Sequence, residues 1–223
     1  MISLQHVSKT YTIEGGRPVA ALHDVSLDVE RGEFLVITGR SGSGKTTLLN
    51  VASGLARPTS GTVLLDGVEL SGLSDHDQAT VRNRKIGFVF QFPSLMPSLS
   101  ALANVTLPRA FGSVNGNDPV ERGTELLDMV GLADRLGSFP RQLSAGQQQR
   151  VVIARALINQ PELLLADEPS SDLDEETEDE IMALFSRVHA ETGVTILMVT
   201  HTKQLVSHGT RHVEMAGGEL RPG

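Results

Sequence analysis

Nine residues near the N-terminus have the types and the spacing of a phosphate-binding loop. The segment GRSGSGKTT, residues 39–47, matches G-x-x-x-x-G-K-[ST], follows the apolar run FLVIT and opens a stretch with helical character. Glycines let backbone N–H groups curl around an anion, and the following helix adds positive potential. The alternative is a glycine-rich loop whose lysine is merely solvated. Such a loop would not need a strand before it and a helix after it, as this segment has. The predicted nucleotide-binding residues of this loop are Gly39, Arg40, Ser41, Gly42, Ser43, Gly44, Lys45, Thr46 and Thr47.

Three side chains of this loop have separate predicted roles. Lys45 places a positive charge on the β- and γ-phosphates, and the Thr46 hydroxyl is a ligand for Mg²⁺. Thr47 is expected to hydrogen-bond on the α-phosphate side of the loop. These roles predict ATP and Mg²⁺ as cofactors.

Two acidic residues, Asp167 and Glu168, directly follow the apolar run LLLA. In an open parallel sheet, ligands bind beyond the carboxyl ends of the strands, so we expect both acids at the edge that holds the phosphate loop. Asp167 would hold Mg²⁺, and Glu168 would polarise the water that attacks the terminal phosphate. Helix capping is the alternative for both. The acidic run DLDEETEDE, residues 172–180, is expected to complement the N-terminus of the next helix rather than to bind metal.

A histidine, His201, ends the next apolar run, VTILMVT. A lone histidine after a strand is usually structural. Its place at the end of a predicted buried strand brings it to the same sheet edge, where a contact with the γ-phosphate is expected.

The segment LSAGQQQR, residues 143–150, places Ser144 where a helix N-cap is expected. A plain N-cap that stabilises the helix is one interpretation. The other is a second anion site, because a helix N-terminus with a hydroxyl donor attracts phosphate. No catalytic partner lies near Ser144 in the sequence.

Alternating strand and helix patterns must position these residues. Short β-rich segments dominate the start, and buried strands return at ELLLAD and VTILMVTH with a helix between them, from about residue 174 to 192. This alternation predicts a parallel sheet covered on both faces. Helical periodicity replaces β-branched runs between residues 91 and 160, and the loop FGSVNGNDP is the expected mobile tip.

Composition limits the function classes. The 223 residues include no cysteine, so a disulfide framework and a cysteine zinc site are excluded. The net charge is −8 and no basic stripe is present, so no nucleic-acid partner is expected. The N-terminus lacks the apolar region of a signal peptide, and no apolar run approaches the roughly 20 residues of a membrane helix. A soluble, cytoplasmic chain is therefore expected.

The order of these motifs resembles that of the ATP-binding subunits of ABC transporters over nearly the whole chain. GRSGSGKTT resembles the Walker A loop, LLLADE Walker B, LSAGQ the family signature and His201 the switch histidine. Tyr11 matches the aromatic residue that stacks on adenine, and Gln91 the Q-loop glutamine that touches Mg²⁺ and the attacking water. An ordinary strand aromatic and a loop amide are the alternatives for these two. The residues that match the D-loop are Ser171, Asp172, Leu173 and Asp174.

The resemblance implies an α/β fold: a P-loop NTPase (RecA-like) core with a parallel sheet, an N-terminal antiparallel β subdomain and an inserted helical subdomain. Residues 1–90 and 161–223 are expected to form the nucleotide-binding core with its β subdomain. Residues 91–160 are expected to form the helical subdomain that carries the signature. Together they make one ABC ATPase domain.

The resemblance also implies a homodimer in the ATP-bound state, because family members bind each ATP between one chain's Walker A loop and the other chain's signature. The residues expected to act on the partner-bound ATP are Ser144, Ala145, Gly146 and Gln147. The family usually has glycine where this chain has Ala145, and a small residue is commoner at Asp172. Neither departure removes a ligand, so ATPase activity is expected.

A finer resemblance concerns IGFVFQFPSLMPSLSALANVTLP, residues 86–108, which is similar to the branch of lipoprotein-release and macrolide-export ATPases. It implies an ATPase that drives an integral membrane permease-type subunit, which docks near Gln91 and FPSLMPSL, residues 92–99. That partner would hold the chain on the inner face of the cell membrane. A cell-division-type regulator that moves no substrate is the alternative. Soluble ABC ATPases of DNA repair or translation are disfavoured, because they usually carry two nucleotide domains or long coiled coils.

Overall fold

The computed structural model describes residues 1–12, 16–112 and 118–223. The strands and α-helices in chain order are β1 (Ile2–Tyr11), β2 (Val19–Val29), β3 (Phe34–Thr38), α1 (Lys45–Ala52), β4 (Ser60–Leu65), β5 (Val68–Glu69), α2 (Asp75–Lys85), β6 (Ile86–Val89), α3 (Ala101–Thr106), α4 (Pro119–Met129), α5 (Ala145–Leu157), β7 (Leu163–Asp167), α6 (Glu175–Thr192), β8 (Thr195–Thr200), β9 (Arg211–Ala216) and β10 (Glu219–Pro222). The predicted mobile tip FGSVNGNDP includes residues 113–117, which lie outside the described residues.

The chain divides into two compact units. The first unit comprises residues 1–79 and 195–223, and the second comprises residues 80–194. The predicted helical subdomain, residues 91–160, falls wholly within the second unit, together with β6, β7 and α6. The predicted subdomain boundaries therefore stay a prediction.

The first unit contains an antiparallel sheet in the order β2-β1-β4-β5, as the family resemblance implies. It also contains β3 between two parallel neighbours, β8 and β9, with β10 antiparallel to β9. Every residue of β3 and β8 is buried. This explains their continuous apolar sequences, because parallel strands are covered on both faces.

The second unit pairs β6 with β7 in parallel and surrounds them with helices. Helix α5 buries nearly all of its second half, whereas α4 and α6 bury one face each. The predicted helix from about residue 174 is present as α6, with Asp174 as its N-cap and three glutamates in its first turn. Among the described residues, no helix is both long and apolar enough to cross a bilayer.

Candidate functional site

The phosphate loop connects β3 to α1 in the first unit and is shaped for backbone contacts to an anion. Gly44 is the N-cap of α1 and has φ 109°, a conformation that side chains with a Cβ rarely adopt. The ammonium of Lys45 is buried and donates hydrogen bonds to the carbonyl oxygens of Gly39 (2.8 Å) and Arg40 (3.1 Å). Ser43 Oγ is buried and forms no hydrogen bond with any of the described residues. An orphaned hydroxyl in such a loop fits a phosphate ligand.

The C-terminal hairpin β9–β10 supports this loop from the side. Gly218, in its turn, donates from its N–H to the Ser43 carbonyl (2.9 Å), and its own carbonyl accepts from the N–H of His23 (2.9 Å). The loop and the hairpin line a solvent-open pocket of about 420 Å³, formed by residues 40–43 and 214–217. No motif in the sequence indicates a role for this hairpin. The turn is indicated in the sequence by the glycine pair at residues 217–218, which separates two short strand-like runs.

The loop touches the hairpin so closely that Gly39 tolerates no side chain, because a Cβ there would clash with the Met215 carbonyl oxygen. Gly39→Ala is therefore expected to displace the loop and to weaken ATP binding by about tenfold, as a strained close contact costs on the order of 1–3 kcal/mol. Titration calorimetry with ATP measures the affinity. The matched control is Gly137→Ala, where an added Cβ meets nothing within 4 Å. Equal ATP affinities for the two variants would contradict the steric argument.

Tyr11 lies at the end of β1, and its side chain is partly exposed. It pairs across the sheet with Val19 of β2. Two residues further along β2, the Ala21 carbonyl oxygen lies against Gly44, where an added Cβ would clash with it. The strand that pairs with Tyr11 therefore packs on the last glycine of the phosphate loop, within the first unit.

His201 follows β8 directly and is exposed. The residue before it, Thr200, accepts a hydrogen bond through its carbonyl from the N–H of Gly39 (3.2 Å). The structure therefore brings His201 to the start of the phosphate loop, as its place after a buried strand predicts. Tyr11, His201 and the loop all belong to the first unit.

In the second unit, β7 ends at Asp167, and Glu168 follows with φ 46°. Both residues are half-buried. Glutamate seldom adopts this left-handed conformation, and residues held in it concentrate at active sites. Downstream, the Ser170 hydroxyl donates to the Glu178 carboxylate (2.6 Å). This bond ties the turn after Glu168 to helix α6.

Gln91 is exposed and begins the segment that leads from β6 to α3. Two side chains fasten this segment. Arg155 of α5 donates to the carbonyl oxygens of Ser94 (2.9 Å) and Pro93 (3.2 Å), and burial lowers the pKa of its guanidinium. Buried Asn104 accepts from the N–H of Met96 (2.8 Å). The backbone is thus held while apolar side chains remain at the surface.

The signature segment begins helix α5 with a reciprocal cap. The Ser144 hydroxyl accepts from the N–H of Gln147 (3.2 Å), and the Gln147 side-chain oxygen accepts from the N–H of Ser144 (3.0 Å). The predicted N-cap is therefore present. Ser144 and Ala145 are exposed. A hydroxyl that accepts a cap bond keeps its own proton for a ligand, so the cap and the anion-site interpretations are compatible.

Gly146 packs the signature helix on the first turn of α6. A Cβ at Gly146 would lie 2.5 Å from the Thr177 methyl. Thr177 is held in turn by Asp174, whose carboxylate accepts from the Thr177 N–H (3.0 Å) and hydroxyl (2.8 Å). The backbone hydrogen bond is the main cause that lowers the pKa of Asp174. The predicted signature is therefore linked to Asp174, the last residue of the predicted D-loop, through Thr177, a contact that the sequence motifs did not indicate.

A glycine-rich loop between a buried parallel strand and a helix, with a buried lysine and an orphaned hydroxyl, defines a P-loop nucleotide-binding protein. The sequence profile of the ABC transporter family matches residues 22–171. The chain belongs to the ABC transporter family, as an ABC ATPase with the fold of an ATP-binding cassette. The family membership and the fold predicted from the motifs are both confirmed.

Three similar proteins cover nearly all of this chain. The lipoprotein-releasing system ATP-binding protein LolD of Bordetella avium is 45% identical over 98% of the chain and 95% of its own length. The macrolide export ATP-binding/permease protein MacB of Syntrophobacter fumaroxidans is 46% identical over 100% of the chain, which matches 31% of that longer protein. The ATP-binding cassette MJ0796, solved as a dimer in a post-hydrolysis state bound to ADP and Pi, is 42% identical over 99% of the chain and 97% of its own, with a TM-score of 0.89.

Proposed function

We propose that this chain hydrolyses ATP within an ATP-dependent homodimer and that this cycle drives an integral membrane partner. The observation that carries the proposal is the exposed N-terminus of α5, where Ser144 presents a hydroxyl and first-turn N–H groups to the outside of the chain. An anion site on the surface needs an anion from another molecule. ATP bound to a second copy supplies one, and similarity to a dimeric cassette bound to ADP and Pi supports this assignment.

The first unit would bind the nucleotide. Lys45 would exchange its bonds to the Gly39 and Arg40 carbonyls for bonds to the β- and γ-phosphates, which are stronger because both partners are charged. The Ser43 hydroxyl and the N–H groups of residues 42–47 would complete the phosphate contacts. Tyr11 would stack on adenine, and His201 would contact the γ-phosphate.

The donor set fits Mg²⁺, which takes oxygen ligands from one or two carboxylates together with substrate phosphates. The hydroxyl of Thr46 is exposed in the first turn of α1, Asp167 is a half-buried carboxylate, and Gln91 offers an exposed amide oxygen. Held by such ligands, Mg²⁺ would supply positive charge that neutralises the bound phosphates. The same three residues are the metal ligands that the motifs predict.

Hydrolysis would depend on positioning. Glu168 would accept a proton from the attacking water, Gln91 would orient that water, and His201 would hold the γ-phosphate. The φ of 46° at Glu168 fits a carboxylate whose direction is set by its backbone.

The partner chain would contribute Ser144, Ala145 and the rest of the signature to the γ-phosphate, with the D-loop, residues 171–174, close to the interface. ATP would then hold two copies together, and loss of the γ-phosphate would release them. Packing of Gly146 on Thr177 would couple the signature to the D-loop.

Ala145 stands where the family usually has glycine, and its exposed methyl group would face the γ-phosphate in the proposed dimer. Ala145→Gly is expected to tighten ATP-dependent dimerisation by up to about tenfold, since a methyl group against a phosphate is a case of overpacking. Analytical ultracentrifugation at saturating ATP measures the dimer constant. Ala133→Gly is the control, because Ala133, like Ala145, is exposed and is the first residue of a helical segment, here the 3₁₀ helix Ala133–Arg135. A weaker dimer for Ala145→Gly would contradict the proposed contact.

The membrane partner would dock on the segment after Gln91, defined here as the docking segment, residues 92–99. Its Phe92 and Met96 side chains are 65% and 47% exposed, on backbone that Arg155 and Asn104 hold in place. A preorganised apolar surface suits a protein partner, since little order is lost on binding. This docking would place the chain in the cytoplasm, on the inner face of the cell membrane.

A photo-crosslinking residue at Phe92 is expected to capture an integral membrane protein in cells that produce the chain naturally. The matched control is the same residue at Val68, which is 49% exposed in the first unit. Mass spectrometry identifies the crosslinked product. Equal capture from both positions, or capture of a protein that spans no membrane from Phe92, would count against the proposed docking segment.

A further inference from the structure

A lysine two residues before Tyr11 covers one face of its ring. Lys9 and Tyr11 lie on the same face of β1, because side chains alternate along a strand. The Lys9 ammonium is 5.0 Å from the centroid of the Tyr11 ring, within the range of a cation–π interaction. The tyrosine remains 39% exposed, so part of the ring stays open to a ligand.

The ammonium is held in place by more than the ring. Its Nζ donates to the Arg57 carbonyl oxygen (2.7 Å). The segment that carries this carbonyl is bound to β1 on either side of Lys9, by Thr59 N–H to Ser8 carbonyl (2.8 Å) and by Thr10 N–H to the Thr59 hydroxyl (3.0 Å). Lys9 is therefore anchored to backbone that is itself hydrogen-bonded to β1.

A bulge connects this part of β1 to the phosphate loop. Lys9 pairs with Leu22 and Thr10 with Ala20, which leaves Ala21 as an extra residue in β2. The Ala21 carbonyl oxygen is the atom that packs against Gly44. The ring, its covering lysine and the phosphate loop thus belong to one connected set of contacts in the first unit.

We propose that Lys9 is a positioning residue for the purine ring of the bound nucleotide. It closes one face of Tyr11, restricts the ring and draws electron density from it, so that adenine stacks on the opposite face. This inference rests on the proposed function, in which Tyr11 contacts adenine. Lys9 acts through the tyrosine and touches no reacting atom.

The chain provides its own optical probe for this proposal, because Tyr11 is its one tyrosine and it has no tryptophan. Titration with ADP is expected to quench the tyrosine emission of the native chain. Lys9→Met, which keeps an unbranched side chain one atom shorter and without the charge, is expected to bind ADP about three- to fivefold more weakly. Lys9→Arg restores the cation and is expected to bind ADP like the native chain. Inorganic tripolyphosphate, measured by calorimetry, is expected to bind all three equally, since it has no base.

Native ADP affinity and native quenching in Lys9→Met would overturn the proposal while leaving the role of Tyr11 intact. An equal loss of affinity for ADP and tripolyphosphate in Lys9→Met would overturn it too, because Lys9 would then act on the fold. The Tyr11→Leu variant tests the proposed stacking of adenine on Tyr11. If this variant binds ADP as tightly as the native chain, Tyr11 does not stack on adenine. The positioning role of Lys9 would then be wrong as well.

Discussion

Replacing Glu168 by glutamine is expected to arrest ATP hydrolysis, to preserve ATP binding and to trap a dimer. The amide has nearly the same shape as the carboxylate but cannot accept a proton from water, and a positioned base contributes about 10²- to 10⁴-fold to such a reaction. The γ-phosphate would then persist between two chains. Size-exclusion chromatography at saturating ATP and a phosphate-release assay measure the two effects.

The control for this variant is Glu191→Gln, which removes an exposed carboxylate near the end of α6 in the same unit. It is expected to hydrolyse ATP at the native rate and to dimerise only transiently. A Glu168→Gln chain that stays monomeric at saturating ATP would contradict the composite site. Retained hydrolysis would instead remove Glu168 from its role as base.

Ser144→Arg is expected to abolish hydrolysis while each chain still binds ATP. A long cation at the helix N-terminus would fill the space of the partner's γ-phosphate, whereas the phosphate loop of the same chain is unchanged. A combined measurement of ATP affinity and turnover tests this expectation. Native turnover in this variant would show that Ser144 makes no contact with partner-bound ATP.

The N-cap role of Ser144 must be separated from the phosphate role, since loss of a cap costs about 1 kcal/mol of stability. Ser100 provides the matched control, because it caps α3 with the same geometry, accepting from the N–H of Ala103 (3.2 Å). Ser100→Arg is expected to lose a similar stability and to keep hydrolysis. Ser144→Asp offers a second control: it retains a good cap and places a negative charge against the phosphate, so hydrolysis is expected to fall while the melting temperature holds.

Local rules determined much of this protein from its sequence. The spacing of glycines, lysine and threonine in residues 39–47 defines a phosphate loop, because its chemistry depends on consecutive backbone N–H groups. The N-cap Ser144 was predicted correctly, since a cap bonds N–H groups two or three residues away. The start of α6 near residue 174 was also predicted. The buried runs of β3 and β8 indicated parallel strands covered on both faces.

Only the tertiary structure decided why several of these residues must be what they are. Gly39 is required by the Met215 carbonyl, far away in the chain, and Gly146 by the methyl of Thr177. The anchor of Lys9 on the Arg57 carbonyl likewise joins distant segments. Periodicity and propensity describe neighbours within a few residues, whereas these contacts depend on which elements pack together. The sequence by itself therefore determined the chemistry available to this protein, and the packing of distant backbone decided how each group is held.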